Sequence, residues 1–450
     1  MLRLRAWPQR WLRAGWRAAW AIAILFVVGV PLLMLALAGL PHVFRSSLVR
    51  NVIAHQAGEL PAVSDPAFAQ TLTLLTGAKL AAGSAVEVLS NGDDTFEPIW
   101  EDLASAQRSI TVQIYYLGAG TVMDRTTRAL AARARAGVKV YVLYDAFGAA
   151  DFPRRELDLL RQSGVKTAEF RPFRWYVLDR ASHRTHVRGI VIDGAVGYTG
   201  GFGLDDKWLG AGRLPGEWRD TNARFTGSAV AQLQAAFVAQ WAEATGELLA
   251  GEHFLAARDS TPAARAQTAP VTLLYSPAVT GSTSAERVLA LTIASARRRL
   301  YLSNAYFIPD ADFMQLLTDA ARRGVDVRVL TNGERTDVKT VLLAGRNRYE
   351  ALLEAGVRIY EYQPTAMHAK TFVVDGLWVG ITTMNFDNRS MAYNNEVALL
   401  CLDPAVAATM ESLFMEDIRF ADEIQLQTFR RRSWLSRLSE RAANVVSSLL

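Results

Sequence analysis

Two histidines in this chain are followed at the same spacing by a basic residue and an aspartate: His186-Val187-Arg188 with Asp193, and His368-Ala369-Lys370 with Asp375. A neutral imidazole is a competent nucleophile and proton carrier near pH 7. A cation two residues further on supplies positive charge, and the pair suits displacement at an anionic centre such as a phosphodiester. One match to this pattern arises by chance at on the order of 10⁻⁴ per position in ordinary composition. Two matches, one in each half of the chain, call for another cause.

The elements that must position these residues are themselves duplicated. Ala104-Ser105-Ala106-Gln107-Arg108-Ser109-Ile110 returns as Ala294-Ser295-Ala296-Arg297-Arg298-Arg299-Leu300, each leading into an apolar run that reads as a buried strand. Arg135-Ala136-Gly137-Val138 matches Arg322-Arg323-Gly324-Val325, a helix closed by glycine before another strand. Leu159-Leu160-Arg161-Gln162-Ser163-Gly164-Val165 matches Leu352-Leu353-Glu354-Ala355-Gly356-Val357. Each half is thus a β-α-β-α-β series with the histidine motif after it, which predicts an α/β fold with a parallel or mixed sheet. Downstream, Trp218-Arg219-Asp220 and Asn394-Asn395-Glu396 place an acid at an equivalent point in each half.

Two such motifs on duplicated α/β halves resemble the phospholipase D superfamily. Within it, Tyr198-Thr199-Gly200-Gly201, Trp218-Arg219-Asp220-Thr221, Trp241-Ala242-Glu243-Ala244-Thr245-Gly246 and Asn385-Phe386-Asp387-Asn388-Arg389-Ser390 are similar to bacterial cardiolipin synthases, over roughly residues 84 to 420. Arg188 stands where that family has lysine, and Gly203 where it usually has asparagine. The resemblance implies two halves sharing one active site and a two-step transfer through a phosphohistidine, with no metal or cofactor. It implies that His186 carries the intermediate and that His368 is the acid and base. Arg188, Lys370 and Asn385 would hold the phosphoryl oxygens, and Thr383, Gly201 and Arg184 would contact substrate. Glu396 and Asp220 would each hold one histidine by a ring nitrogen, as a triad carboxylate does; Glu396 is taken with His368, in its own half. Asp193 and Asp375 are expected to anchor turns before Gly194 and Gly376. His183, three residues before His186, flanks the site, since a His-x-x-His pair without an acidic or cysteine partner is a poor metal signature.

Arg3, Arg5, Arg10, Arg13 and Arg17 precede an uncharged apolar stretch from Ala18 to Leu40. Its 23 residues would span ~35 Å as a helix, enough for a bilayer core. A buried helix and a cleaved signal peptide are the competing readings. The arginine excess before the span predicts a cytoplasmic N-terminus and a catalytic body on the other face of a cell membrane, single-pass. In the tail, Trp434, Leu435, Leu438, Ala442, Val445, Val446 and Leu449 fall at helical spacing after Arg430-Arg431-Arg432, which suits either a membrane surface or a helix packed on the domain. Arg171-Pro172-Phe173-Arg174-Trp175-Tyr176 mixes aromatic and cationic residues as interfacial loops do.

These readings divide the chain into a basic segment (1–17), a transmembrane helix (18–40), a connection (41–83), a first half (84–250), a linker (251–268), a second half (269–423) and a basic amphipathic tail (424–450). A net charge of +5 suits lipid head groups and nucleic acid equally. The single cysteine, Cys401, excludes an intrachain disulfide. The expected partners are a phospholipid, foremost phosphatidylglycerol, and the membrane, with no nucleic acid. The expected reaction joins two phosphatidylglycerols into cardiolipin and glycerol. A phospholipase D using water, a nucleic-acid phosphodiesterase, and a lipid-binding protein with a decayed first site stand as alternatives.

Overall fold

The computed structural model of the chain describes residues 60–173, 183–254, 269–278 and 283–447, with residues 20, 24–29 and 32. The expected span at 18–40, most of the 251–268 linker and Arg174-Trp175-Tyr176 lie largely or wholly outside the described residues. Among the described residues no helix is long and apolar enough to cross a membrane.

The first half contributes β1 (Ala81–Ser84), β2 (Val86–Ser90), β3 (Ser109–Ile114), β4 (Lys139–Asp145), β5 (Lys166–Phe170), β6 (Arg184–Thr185), β7 (Gly189–Ile192), β8 (Val196–Gly200), β9 (Trp218–Arg219) and β10 (Thr221–Thr226). The second contributes β11 (Ala269–Ser276), β12 (Arg299–Asn304), β13 (Asp326–Asn332), β14 (Arg358–Tyr362), β15 (Ala366–Met367), β16 (Lys370–Val374), β17 (Trp378–Thr382), β18 (Asn394–Leu402) and β19 (Ala421–Glu423). One sheet runs β2-β10-β8-β7-β3-β4-β5, and the other repeats that order as β11-β18-β17-β16-β12-β13-β14, extended by β1 and β19 at its edges. In each, the helix-linked strands pair in parallel and the rest antiparallel, so the mixed sheet expected from the repeat is present in both halves.

Local chemistry explains the repeated boundaries. Gly137 and Gly324 close their helices at φ 93° and 91°, a left-handed turn that a side chain would strain. Asp193 and Asp375 both adopt φ 53° and turn their carboxylates back onto the start of a central strand. Asp193 accepts from the amides of Gln107, Arg108 and Ser109 at 2.7–2.9 Å, and Asp375 from those of Arg297, Arg298 and Arg299 at 2.8–2.9 Å. The last residue of each motif is therefore a turn anchor, as expected.

Each sheet buries one face under its own helices, around Ile110, Val112 and Val140 in one half and Leu300, Val327 and Val329 in the other. A third cluster belongs to both halves, joining Val191, Ala223 and Phe225 to Val379, Val397 and Leu399. Burial of apolar area on this scale, at roughly 25 cal/mol per Å², fixes the halves against each other.

The tail helix Trp434–Ser447 packs on the helix Lys339–Glu354. Ala443 is buried against Ile308, Val341 and Ala344, and the buried Glu440 pairs with Arg432 at 2.9 Å. Trp434, Leu435, Leu438 and Val445 stay exposed on the same helix. It is both a packed helix and one with an uncovered apolar stripe.

Candidate active site

The strand before each histidine is only two residues long and leaves its own half to pair with the other. Arg184 and Thr185 of β6 lie parallel to Asn394 and Asn395 of β18, while Ala366 and Met367 of β15 lie parallel to Trp218 and Arg219 of β9. The histidine amides continue these ladders: His186 N–H donates to the Asn395 carbonyl at 2.9 Å and His368 N–H to the Arg219 carbonyl at 2.6 Å. The end of the preceding long strand pins each excursion. Asp145 accepts from the Thr185 amide at 3.0 Å, and Asn332 from the Met367 amide at 2.7 Å.

This crossing sets which carboxylate serves which histidine. Glu396 lies against Nδ1 of His186, with its oxygens at 3.0 and 3.1 Å, and Asp220 lies 3.5 Å from Nδ1 of His368. The pairing of Glu396 with His368 expected from the sequence is thus corrected, because the acidic strand of each half is annexed by the other half's histidine strand. His368 Nδ1 also meets the Gly201 carbonyl at 2.9 Å. A carbonyl can only accept, so the proton sits on Nδ1 and leaves Nε2 as the free lone pair.

Both histidines are held neutral. Burial pushes the His186 pKa well down, helped by the positive charge of Arg188, Lys370 and Arg389. Burial and Lys370 lower His368, against the pull of Asp220. Arg188 and Lys370 are both buried, and each donates to the carbonyl of its own motif histidine, Arg188 at 3.4 Å and Lys370 at 2.6 Å. Neither has a carboxylate within ion-pair distance among the described residues. A buried cation without a counter-ion is costly, and burial together with Arg188 brings the Lys370 ammonium down to about 7. Arg188 Nε and the Asn385 side-chain oxygen are likewise buried without a partner among the described residues. The site has the electrostatics of a hole shaped for an anion.

The residues expected to touch substrate divide differently. Thr383 is fully buried and donates to Glu396, with its hydroxyl also accepting from the Val397 amide at 3.0 Å, so it orients the carboxylate. Gly201 occupies the equivalent place in the first half, where a Cβ would come within 2.4 Å of Asp220, and its carbonyl holds His368. Arg184 is committed to the carbonyls of His183 and Arg171 at 3.1 and 3.0 Å and to Asp145 at 3.7 Å, which fixes β6. His183 packs on Tyr393, with ring centres 5.5 Å apart.

Sequence reasoning passed over the aromatic walls. Tyr115 meets His186 edge-on at 4.9 Å, while Trp208 and Trp218 meet His368 at 5.4 and 5.0 Å. Trp208 also donates its indole N–H to Asp220 at 2.8 Å. Its ring explains Gly203, where a Cβ would lie 2.6 Å from the indole. The space vacated by the missing asparagine is filled by Trp208. The signal was available, since counting from the motif histidines places Trp208 opposite Ser390, the hydroxyl that accepts from the Asn385 amide at 3.1 Å.

A duplicated fold with two carboxylate-held histidines and two unpaired cations at one site defines a phospholipase D-type centre. The family described as cardiolipin synthase, PLD-like domain, matches over residues 99–237 and 289–418. The chain is 35% identical over 375 residues to the cardiolipin synthase of Geobacillus kaustophilus (strain HTA426), covering 82% of this chain and 73% of that one. It is 32% identical over 363 residues to cardiolipin synthase 2 of Bacillus anthracis, covering 80% and 70%. The fold is also that of phosphatidylserine synthase from Haemophilus influenzae Rd KW20, with TM-score 0.63 and 15% identity over 85% of this chain and 100% of that one. The chain belongs to the cardiolipin synthase family and is an enzyme, a phosphatidyltransferase of the phospholipase D type.

The unpaired cations make a prediction about anion binding. Sulfate keeps its charge between pH 6 and 9, so any change in its affinity there reports the protein. An anion favours protonated Lys370, whose ammonium titrates at about 7. Affinity measured by titration calorimetry is therefore expected to be greatest below pH 7 and to fall by up to about tenfold per pH unit above it. Constant affinity across that range would remove Lys370 from the anion site.

Proposed function

We propose that this protein joins two phosphatidylglycerol molecules into cardiolipin and glycerol at a membrane, through a phosphatidyl group carried on His186. The observation that carries the reading is the pair of buried, unpaired cations, Arg188 and Lys370, beside two neutral histidines each fixed through Nδ1. On binding the phosphodiester, whose anionic charge favours an imidazolium, His368 takes a second proton on Nε2 with Asp220 beside its Nδ1. Nε2 of His186 then attacks phosphorus, and the glycerol oxygen leaves with that Nε2 proton, which returns His368 to its neutral form. His368 then takes the proton from the incoming phosphatidylglycerol hydroxyl as that oxygen displaces His186. Arg188, Lys370 and Asn385 hold the phosphoryl oxygens as charge shifts among them. Glu396 holds the tautomer of His186 and stabilises its cation, and Asp220 does the same for His368.

Membrane attachment is part of the reading. The arginine-led apolar stretch at 18–40 supplies a span with its N-terminus in the cytoplasm, and the exposed Trp434, Leu435, Leu438 and Val445 beside Arg437 and Arg441 supply an interfacial face. The filled space at Gly203 favours a working first half-site over a decayed one.

Lipids extracted from cells lacking their own cardiolipin synthases are expected to contain cardiolipin when this protein is made and none with His368→Ala. The same conversion by purified protein on phosphatidylglycerol vesicles is expected to survive EDTA. Phosphatidic acid in place of cardiolipin would make the enzyme a hydrolase. Loss of activity in EDTA, restored by a divalent cation, would overturn the metal-free route.

A further inference from the structure

The two sides of the site differ in a way the duplication does not require. On the His368 side, Tyr116, Trp208 and Trp218 surround the ammonium of Lys207. Its Nζ lies 3.9 Å from the Tyr116 ring centre, 4.6 Å from that of Trp218 and 5.7 Å from that of Trp208. It donates to the Tyr116 hydroxyl at 2.7 Å and has no carboxylate partner among the described residues. The box is rigid. Trp208 is tied to Asp220 and seated on Gly203, and its ring centre is 4.6 Å from that of Trp218. Both indoles touch His368. On the other side, counting from the motif histidines places Arg389 and Ser390 opposite Lys207 and Trp208. Tyr306, opposite Tyr116 in the strand repeat, donates to Asp337 at 2.5 Å. Among the described residues no corresponding aromatic box forms there.

Three aromatic faces converging on one point make a site for a cation, and an alkylammonium is the ligand such a box takes best. Here the chain's own lysine occupies it. Lys207 is only half-buried, so the box lies within reach of solvent and ligands. We propose that Lys207 is a head-group selector. Its ammonium fills the Tyr116–Trp208–Trp218 box, repels ethanolamine and choline head groups, and presents N–H donors to the hydroxyls of a glycerol head group. The inference rests on the reading that His368 handles the alcohols leaving and entering, because that places the head group beside the box.

The test is Lys207→Met, which keeps length and removes charge, with Lys207→Arg as the charged control. Rates on phosphatidylglycerol and phosphatidylcholine in mixed micelles give the selectivity, and tetramethylammonium binding by titration calorimetry gives a readout independent of turnover. Lys207→Met is expected to shift the ratio toward phosphatidylcholine by tenfold or more and to bind tetramethylammonium in the millimolar range. The wild type and Lys207→Arg are expected to do neither. An unchanged ratio, or equal tetramethylammonium binding by all three, would overturn the selector while leaving the transferase intact. A wild type without turnover of phosphatidylglycerol would instead overturn the reading beneath it. If Lys207→Met fails to fold, Lys207→Gln carries the same comparison.

Discussion

Glu396→Gln is expected to lower turnover by about 10⁴-fold with little change in substrate binding, the loss seen when a tautomer-holding carboxylate becomes an amide. Glu396 is fully buried and approaches Nδ1 of His186 with both oxygens, while Thr383, just after β17, and Asn394 of its own strand donate to it. An amide fits the same space but can offer its NH₂ to Nδ1. The proton then moves to Nε2, and the lone pair that should attack phosphorus is gone. Burial raises Glu396 to about 7, so the ionised, working form grows as pH rises through that value. In the wild type the gain as Glu396 ionises and the loss as Lys370 deprotonates meet near pH 7, so turnover is expected to peak there, and Glu396→Gln is expected to lose the rising limb. Asp220→Asn is expected to cost far less, about 10–100-fold, because the Gly201 carbonyl at 2.9 Å still holds the His368 Nδ1 proton. Steady-state kinetics on vesicles decides it; equal losses in the two variants would refute the unequal support of the two histidines.

Lys370→Met is expected to move activity and stability in opposite directions. In the proposed route the ammonium stabilises charge on the phosphoryl oxygens, and removing one such donor typically costs about 10²–10³-fold in turnover. In the free protein the same group is buried with no carboxylate partner among the described residues, and burial depresses its pKa to about 7. Methionine removes that desolvation cost at nearly the same volume, so the melting temperature should hold or rise. A variant that melts lower while keeping wild-type turnover would show that Lys370 holds the fold rather than the substrate.

The duplication made much of this architecture readable from the chain. Helix-closing glycines at 137 and 324, the strand runs after Ser109 and Arg299, and the turn-anchoring aspartates at 193 and 375 are local features, and a repeat states each of them twice. The exchange of carboxylates between halves was not readable, because it depends on β6 and β15 pairing with strands far away in sequence. The histidine strands are too short to carry a pattern of their own. Thr383, Gly201 and Arg184, expected to contact substrate, are engaged with Glu396, His368 and Asp145, since sequence gives adjacency to a motif and not the direction of a side chain. Gly203 read as a loss from the first half-site. Its contact with Trp208 shows instead that glycine makes room for the indole ring.

The covalent step is the centre of this account, and acid quenching tests it directly. Protein mixed with phosphatidylglycerol labelled in the phosphatidyl group, stopped within the first turnover and mapped by peptide, is expected to carry phosphohistidine at His186. His186→Ala is expected to carry none, and His368→Ala to accumulate the adduct slowly, since both its formation and its transfer lack their proton carrier. Label at His368 would exchange the roles of the two histidines. Cardiolipin formed with no label on any variant would mean direct transfer between lipids and would contradict the two-step route.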